Sequence, residues 1–260
     1  MTETVHSTLQ ITGKTLEVSQ HRCPEYPRTI VLLHEALGSI KHWRDFPARL
    51  AHGTRCNVVL YSRAGHGHSE GPVEPRGFAY IQRQANVVLR TVLERLEIHH
   101  PILFGHSEGA VIALFYAATH PQVPRALILE SAVVQIEDAT MDGVRKAREA
   151  YRSSDLKDKL QKYHSDPDAV FGAFAGPWMA EGAPPDAVER YLKNITCPTL
   201  VLQGDRDEYG SPKQSEILSQ HLPNARSVLV SNCGHTPHRE HPQMVLDEIR
   251  AFLSGQTVLK

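Results

Sequence analysis

The chain has 260 residues, of which 41% are hydrophobic and 22% charged. That balance is ordinary for a globular protein and excludes a disordered tail, a collagen-like rod and a small disulfide scaffold. Twenty-eight basic against 29 acidic residues leave a net charge of −1, which argues against a broad electrostatic footprint for nucleic acid or an anionic membrane.

The first twenty residues, MTETVHSTLQITGKTLEVSQ, hold no apolar core of signal-peptide type. No later run approaches the roughly 20 apolar residues that span a bilayer. The expectation is a soluble, cytoplasmic protein without a membrane partner. Cys23, Cys56, Cys197 and Cys233 show no Cys-x-x-Cys spacing and read as reduced, buried thiols.

Residues 7–11 and 15–20 read as short strands around the turn Thr12-Gly13-Lys14. Apolar, β-branched runs follow at 29–34, 56–61, 102–104, 126–129, 199–202 and 227–230. Apolar on both faces, such strands belong inside a parallel sheet covered by helices. Segment 78–96 sets Ile81, Ala85, Val88, Leu89, Val92, Leu93 and Leu96 on one helical stripe, and 108–119 is apolar nearly all round, as in a buried helix. Segments 212–221 and 242–253 are amphipathic. The alternation predicts a doubly wound α/β sheet.

One stretch breaks the rhythm. From 136 to 194 there are candidate helices at 141–152, 155–164, 166–175 and 185–193, interrupted by Gly176-Pro177 and Pro184-Pro185. The domain expectation is therefore a core formed by 1–135 and 195–260, with a helical cap inserted at 136–194.

The strongest chemical signal is Gly105-His106-Ser107-Glu108-Gly109 between a buried strand and a buried helix. A Gly-x-Ser-x-Gly pattern in that context places the serine on a tight turn, with the helix N-terminus and its free N–H groups beside it. The bland alternative is a serine that caps the helix. A serine nucleophile needs a base, and the base needs a carboxylate to orient it. Two loops after later strands offer both: Gly204-Asp205-Arg206-Asp207-Glu208 and Cys233-Gly234-His235-Thr236. Both loops lie past the carboxyl ends of strands, where open α/β sheets build their sites.

These stretches resemble the α/β-hydrolase family across essentially the whole chain. The matching motifs are LLHEALGS (32–39), YSRAGHGHS (61–69), GHSEGA (105–110), QGDRDEYG (203–210) and CGHTPH (233–238). The resemblance implies an α/β-hydrolase fold with a triad of Ser107, Asp207 and His235. Asp205 and Glu208 are the nearby alternatives for the acid, and Glu130 a more distant one. Acyl transfer also needs two preorganised N–H donors for the carbonyl oxygen. One is the backbone of Glu108, after the nucleophile; the resemblance supplies Ala36 as the other. Where the family carries His-Gly, this chain has His34-Glu35, so Glu35 adds a carboxylate near the site. Glu35, Trp43, Phe171, Phe174, Trp178 and Met179 are the candidate substrate-binding residues.

No metal or other cofactor is expected. His66 and His68 read as turn residues, His34 and His106 as packing behind the nucleophile, and His238 and His241 as residues preceding a surface helix. The resulting expectation is a serine hydrolase of a small ester, lactone or thioester. Alternatives are a carbon–carbon bond hydrolase of ring-cleavage diketones and a ligand receptor on a hydrolase scaffold. A homo-oligomer is left open.

Overall fold

The apolar runs become one eight-stranded sheet in the order β1-β2-β4-β3-β5-β6-β7-β8. In chain order the strands are β1 (Glu3–Ile11), β2 (Lys14–Arg22), β3 (Thr29–Leu33), β4 (Asn57–Tyr61), β5 (Ile102–His106), β6 (Ala126–Glu130), β7 (Thr199–Gly204) and β8 (Ala225–Val230). The structure, a computed structural model, describes residues 2–176 and 187–255. β1 and β2 form an antiparallel hairpin, β2 joins β4 antiparallel, and all later pairings are parallel.

Side chains alternate between faces with the strand period of two. Val31, Leu33, Leu103, Leu127, Leu129 and Val201 point to one face, under α4 (Glu108–Thr119) and the helical stretch Phe78–Arg95. Ile30, Leu32, Ile102, Phe104, Ile128 and Leu200 point to the other, under α1 (Phe46–Thr54) and α11 (Pro242–Ser254). Both faces are covered, which is why these strands carry no polar alternation.

The predicted helix at 78–96 is α2 (Phe78–Arg83) and α3 (Arg90–Arg95), joined by a wider π turn at Gln84–Leu89. The wide turn carries Gln84 into the interior, where its Nε2 donates to Glu74 at 3.4 Å. Helix α1 lies where the sequence reading placed none. Phe46, Leu50, Ala51 and Thr54 are its buried stripe, and a proline stands in its first turn.

Between β6 and β7 come α5 (Asp138–Ser153), α6 (Leu156–Gln161), α7 (Pro167–Ala175) and α8 (Ala187–Leu192). Val144, Ala147, Leu160, Phe171, Phe174 and Ala175 form a third apolar cluster, and that cluster closes on Ala36. The helices thus sit on the loop after β3. Two short helices, α9 (Lys213–His221) and α10 (Pro237–Glu240), follow β7 and β8. The order reverses between β4-β3 and β3-β5, so the loops after β3 and β5 diverge around a crevice at the carboxyl edge of the sheet.

Candidate active site

Ser107 stands at the tip of a strained turn, with φ 53 and ψ −117. That conformation is costly for a residue with a side chain. It is enforced by close packing of β5 on α4: a Cβ at Gly105 would collide with the backbone of Gly109 and Ala110, and one at Gly109 with the Leu33 carbonyl. The Ser107 side chain makes no capping hydrogen bond to the helix.

His235 and Asp207 meet. The His235 Nδ1–H donates to Asp207, 2.8 Å from each carboxylate oxygen. The carboxylate also accepts from the Tyr209 N–H at 2.8 Å, the Gly210 N–H at 3.2 Å and Gln203 Nε2 at 2.8 Å. Burial works against its charge, but these donors, His235 first, hold the Asp207 carboxyl below the ordinary aspartate range. Burial likewise disfavours a charged His235; the Asp207 hydrogen bond and charge, followed by the charges of Glu35 and Glu208, outweigh it and raise the ring above an ordinary histidine.

The loop that carries His235 is braced by carboxylates. Glu240 of α10 accepts from the Gly234 N–H at 2.8 Å and the Thr236 N–H at 3.1 Å, and Asp205 accepts from the Cys233 N–H at 3.1 Å. Asp205 therefore shapes the loop, Glu208 is exposed, and Asp207 alone of the three touches the imidazole. His106 Nε2 lies 2.8 Å from the His235 carbonyl, which puts His235 against the residue next to Ser107. Among the described residues the Ser107 hydroxyl has no hydrogen-bond partner, the His235 ring included. Catalytic contacts are often long before substrate binds.

Glu130, the distant alternative for the acid, is committed elsewhere. It accepts from the His238 N–H at 2.7 Å and from His238 Nδ1–H at 2.5 Å. His238 stands before α11 and is itself buried, 4% exposed. Burial opposes charge on Glu130, but His238 and then His106 keep its carboxyl below the usual glutamate range. His106, Glu130 and His238 are also the one group among the described residues whose donor atoms could gather a metal ion, within 4.8 Å of one another. His66 and His68 diverge instead: His66 is buried beside Arg76, and His68 is exposed beside Lys41.

The backbone N–H groups of Ala36 and Glu108 find no acceptor among the described residues. Glu35 is half-buried and outside the left-handed region, so the loop accepts its side chain without backbone strain. It borders a small cavity with His42, Trp43, His106, His238 and Arg239, and among the described residues its carboxylate makes no hydrogen bond or ion pair. Burial opposes the Glu35 charge, and the surrounding His106, His42, His235 and His238 still draw its pKa down. Burial pulls His42 down to about 4.

Trp43 is 3% exposed, lies tilted against His238 at 4.6 Å and meets Phe104 edge-on at 5.6 Å. It borders the small cavity and also packs in the core. Phe171 and Phe174 belong to the cluster over Ala36, and Phe174 reaches the Tyr209 ring, which lies 4.8 Å from His235. Trp178 and Met179 lie outside the described residues. Sequence reasoning missed Tyr209, the Glu130–His238 pairing, and the ion pairs of Glu108 with Arg63 at 2.7 Å and Arg76 at 3.0 Å. Arg63 stands inside the quoted motif 61–69, and a glutamate at the end of the apolar run 126–129 was the available sign of a buried partner.

A family model described as "Alpha/beta hydrolase family" matches residues 30–248. The chain belongs to this family and is a hydrolase of the α/β fold. It is 27% identical over 229 residues to the mouse "Serine hydrolase BPHL", covering 84% of this chain and 76% of that protein. It is 28% identical over 177 residues to a pimeloyl-[acyl-carrier protein] methyl ester esterase of Neisseria meningitidis, covering 59% of this chain and 69% of the relative. The solved enol-lactonase of Burkholderia xenovorans superposes with a TM-score of 0.75 at 21% identity, over 95% of this chain and 100% of that one, and shares the fold. No helix among the described residues is long and apolar enough to cross a membrane.

Proposed function

We propose that this hydrolase cleaves a small carboxylic ester, lactone or thioester through an acyl-enzyme on Ser107. The observation that carries the reading is the His235 ring, clamped by Asp207 at 2.8 Å and 5.1 Å from the ring of His106, the neighbour of the strained Ser107. His235 takes the hydroxyl proton as Ser107 Oγ bonds to the substrate carbonyl carbon. The carbonyl electron pair moves to oxygen, where the Ala36 and Glu108 N–H groups receive it. Collapse expels the alkoxide or thiolate, which takes the proton back from His235. Water then attacks the acyl-enzyme while His235 removes its proton, and the acid leaves with Ser107 restored. Asp207 keeps the Nδ1–H tautomer and stabilises the imidazolium.

Phe171 and Phe174 over Ala36 favour a small acyl group. A panel of p-nitrophenyl esters of rising chain length, with lactones, thioesters and a vinylogous diketone, tests the reading. Highest kcat/KM on short esters or lactones is expected. Turnover of the diketone alone, or binding of every compound without turnover, contradicts it.

A further inference from the structure

Three successive carbonyls of the loop after β3 are held by two buried arginines. Arg63 Nη1 donates to His34 O and Nη2 to Glu35 O, each at 2.7 Å; Arg76 Nη2 donates to Ala36 O at 2.9 Å. Both guanidiniums also meet one carboxylate: Arg63 Nη2 donates to Glu108 Oε2 at 2.7 Å and Arg76 Nε to Glu108 Oε1 at 3.0 Å. The side chains of Arg63, Arg76 and Glu108 are 2%, 4% and 6% exposed, so water does not screen the network.

Peptide geometry gives this network a direction. A trans peptide sets its C=O and N–H on opposite sides, and the described residues contain no cis bond. Arg63 Nη2 and His34 Nδ1, each 2.7 Å from Glu35 O, therefore fix the side on which that carbonyl lies. The Ala36 N–H of the same peptide must point the other way, away from the arginine. Arg76 fixes the next carbonyl, so the Ala36 residue is held at both of its peptides.

We infer that Arg63, Arg76 and the Glu108 side chain are positioning residues that aim and space the two oxyanion donors. Glu108 serves both halves: its N–H is one donor, and its carboxylate anchors the arginines that orient the other. The inference rests on the serine-hydrolase reading above. It also assigns Arg63 a task lysine cannot do, because one ammonium cannot span His34 O, Glu35 O and Glu108 as the planar fork does.

The test compares wild type with Arg63→Lys, Arg76→Lys and Glu108→Gln, using p-nitrophenyl acetate and phenylboronic acid. The tetrahedral boronate on a serine places an oxygen at the oxyanion position. Misaimed donors should lower kcat about 10-fold or more with KM changed less than about threefold, and raise the boronate Ki in step with the fall in kcat. Arg76→Lys keeps a cation beside Glu108 and gives up the reach to Ala36 O, so it reports even where Arg63→Lys fails to fold. Folded variants with kcat and boronate Ki both within about twofold of wild type would show a structural brace only and overturn the inference. If wild type resists the boronate, or Ser107→Ala keeps turnover, the serine-hydrolase reading itself fails; if those controls behave and the variants are indifferent, only the clamp falls.

Discussion

Two histidine–carboxylate pairs, whose histidines stand three residues apart in the chain, differ in what surrounds them. In Asp207–His235 the imidazole lies 5.1 Å from the ring of His106, the residue before Ser107, with Tyr209 against its ring. In Glu130–His238 the contacts are as short, but the ring lies tilted against Trp43 and is packed near Phe46 and His106. The chemistry of the pairs is nearly the same, and position separates them. A histidine can move a proton for a substrate only where a reacting group can reach its free nitrogen; one sealed among aromatic rings spends its hydrogen bond on the fold.

The comparison breaks most visibly at the first pair. Asp207→Asn or His235→Gln should lower kcat about 10³–10⁴-fold on a short ester. Glu130→Gln and His238→Gln should act mainly on stability. Each removes one partner of a buried hydrogen-bonded pair, which costs about 1–3 kcal/mol. Denaturant unfolding reads that loss, and kcat per folded molecule should stay within about 10-fold. If a Glu130 variant loses as much kcat as an Asp207 variant, the two pairs are not separable in this way.

A smaller effect sharpens the same contrast through the roof over His235. Phe174→Ala opens the cluster that reaches Tyr209, so longer acyl chains should gain on acetate by about 10-fold in relative kcat/KM. An unchanged chain-length profile would remove Phe174 from the specificity argument.

Acid sensitivity should also differ between the pairs. Glu130 has a depressed folded pKa against the ordinary glutamate value of 4.5, so its contribution to stability is present above that value and is lost as pH falls through the lower, folded one. Glu130→Gln should flatten the acid limb of stability. For His235 the sign is opposite and shows in activity. Its pKa is raised, and the base works only when neutral, so the rate limb sits above the ordinary value of 6.5. Glu35→Gln removes one of the charges that raise it and should move that limb to lower pH. A limb that stays in place would remove Glu35 from the electrostatics of His235.

Much of this was legible in the chain. Doubly apolar runs announced covered parallel strands, and strand–Gly-x-Ser-x-Gly–helix announced the Ser107 turn, because both follow from local periodicity and backbone sterics. What escaped was long-range and polar. Arg63 and Glu108 are 45 positions apart, and Glu130 and His238 are 108 apart; nothing in the local spacing says that sheet order will bring them together. His238 follows a loop and precedes a helix, a position with no local sign of burial, and the packing of Trp43 and Phe46 over it is what buries it. Helix α1 was missed although Phe46, Leu50 and Thr54 keep a four-residue step.

The central claim is that Ser107 is acylated with His235 as its base. The most direct measurement is rapid-quench mass spectrometry of the protein with a slowly deacylating p-nitrophenyl ester, followed by peptide mapping. An acyl mass on the peptide carrying Ser107, absent in Ser107→Ala and forming far more slowly in His235→Gln, is the predicted result. Wild-type turnover by Ser107→Ala, or an adduct on another residue that accounts for the turnover, would contradict it.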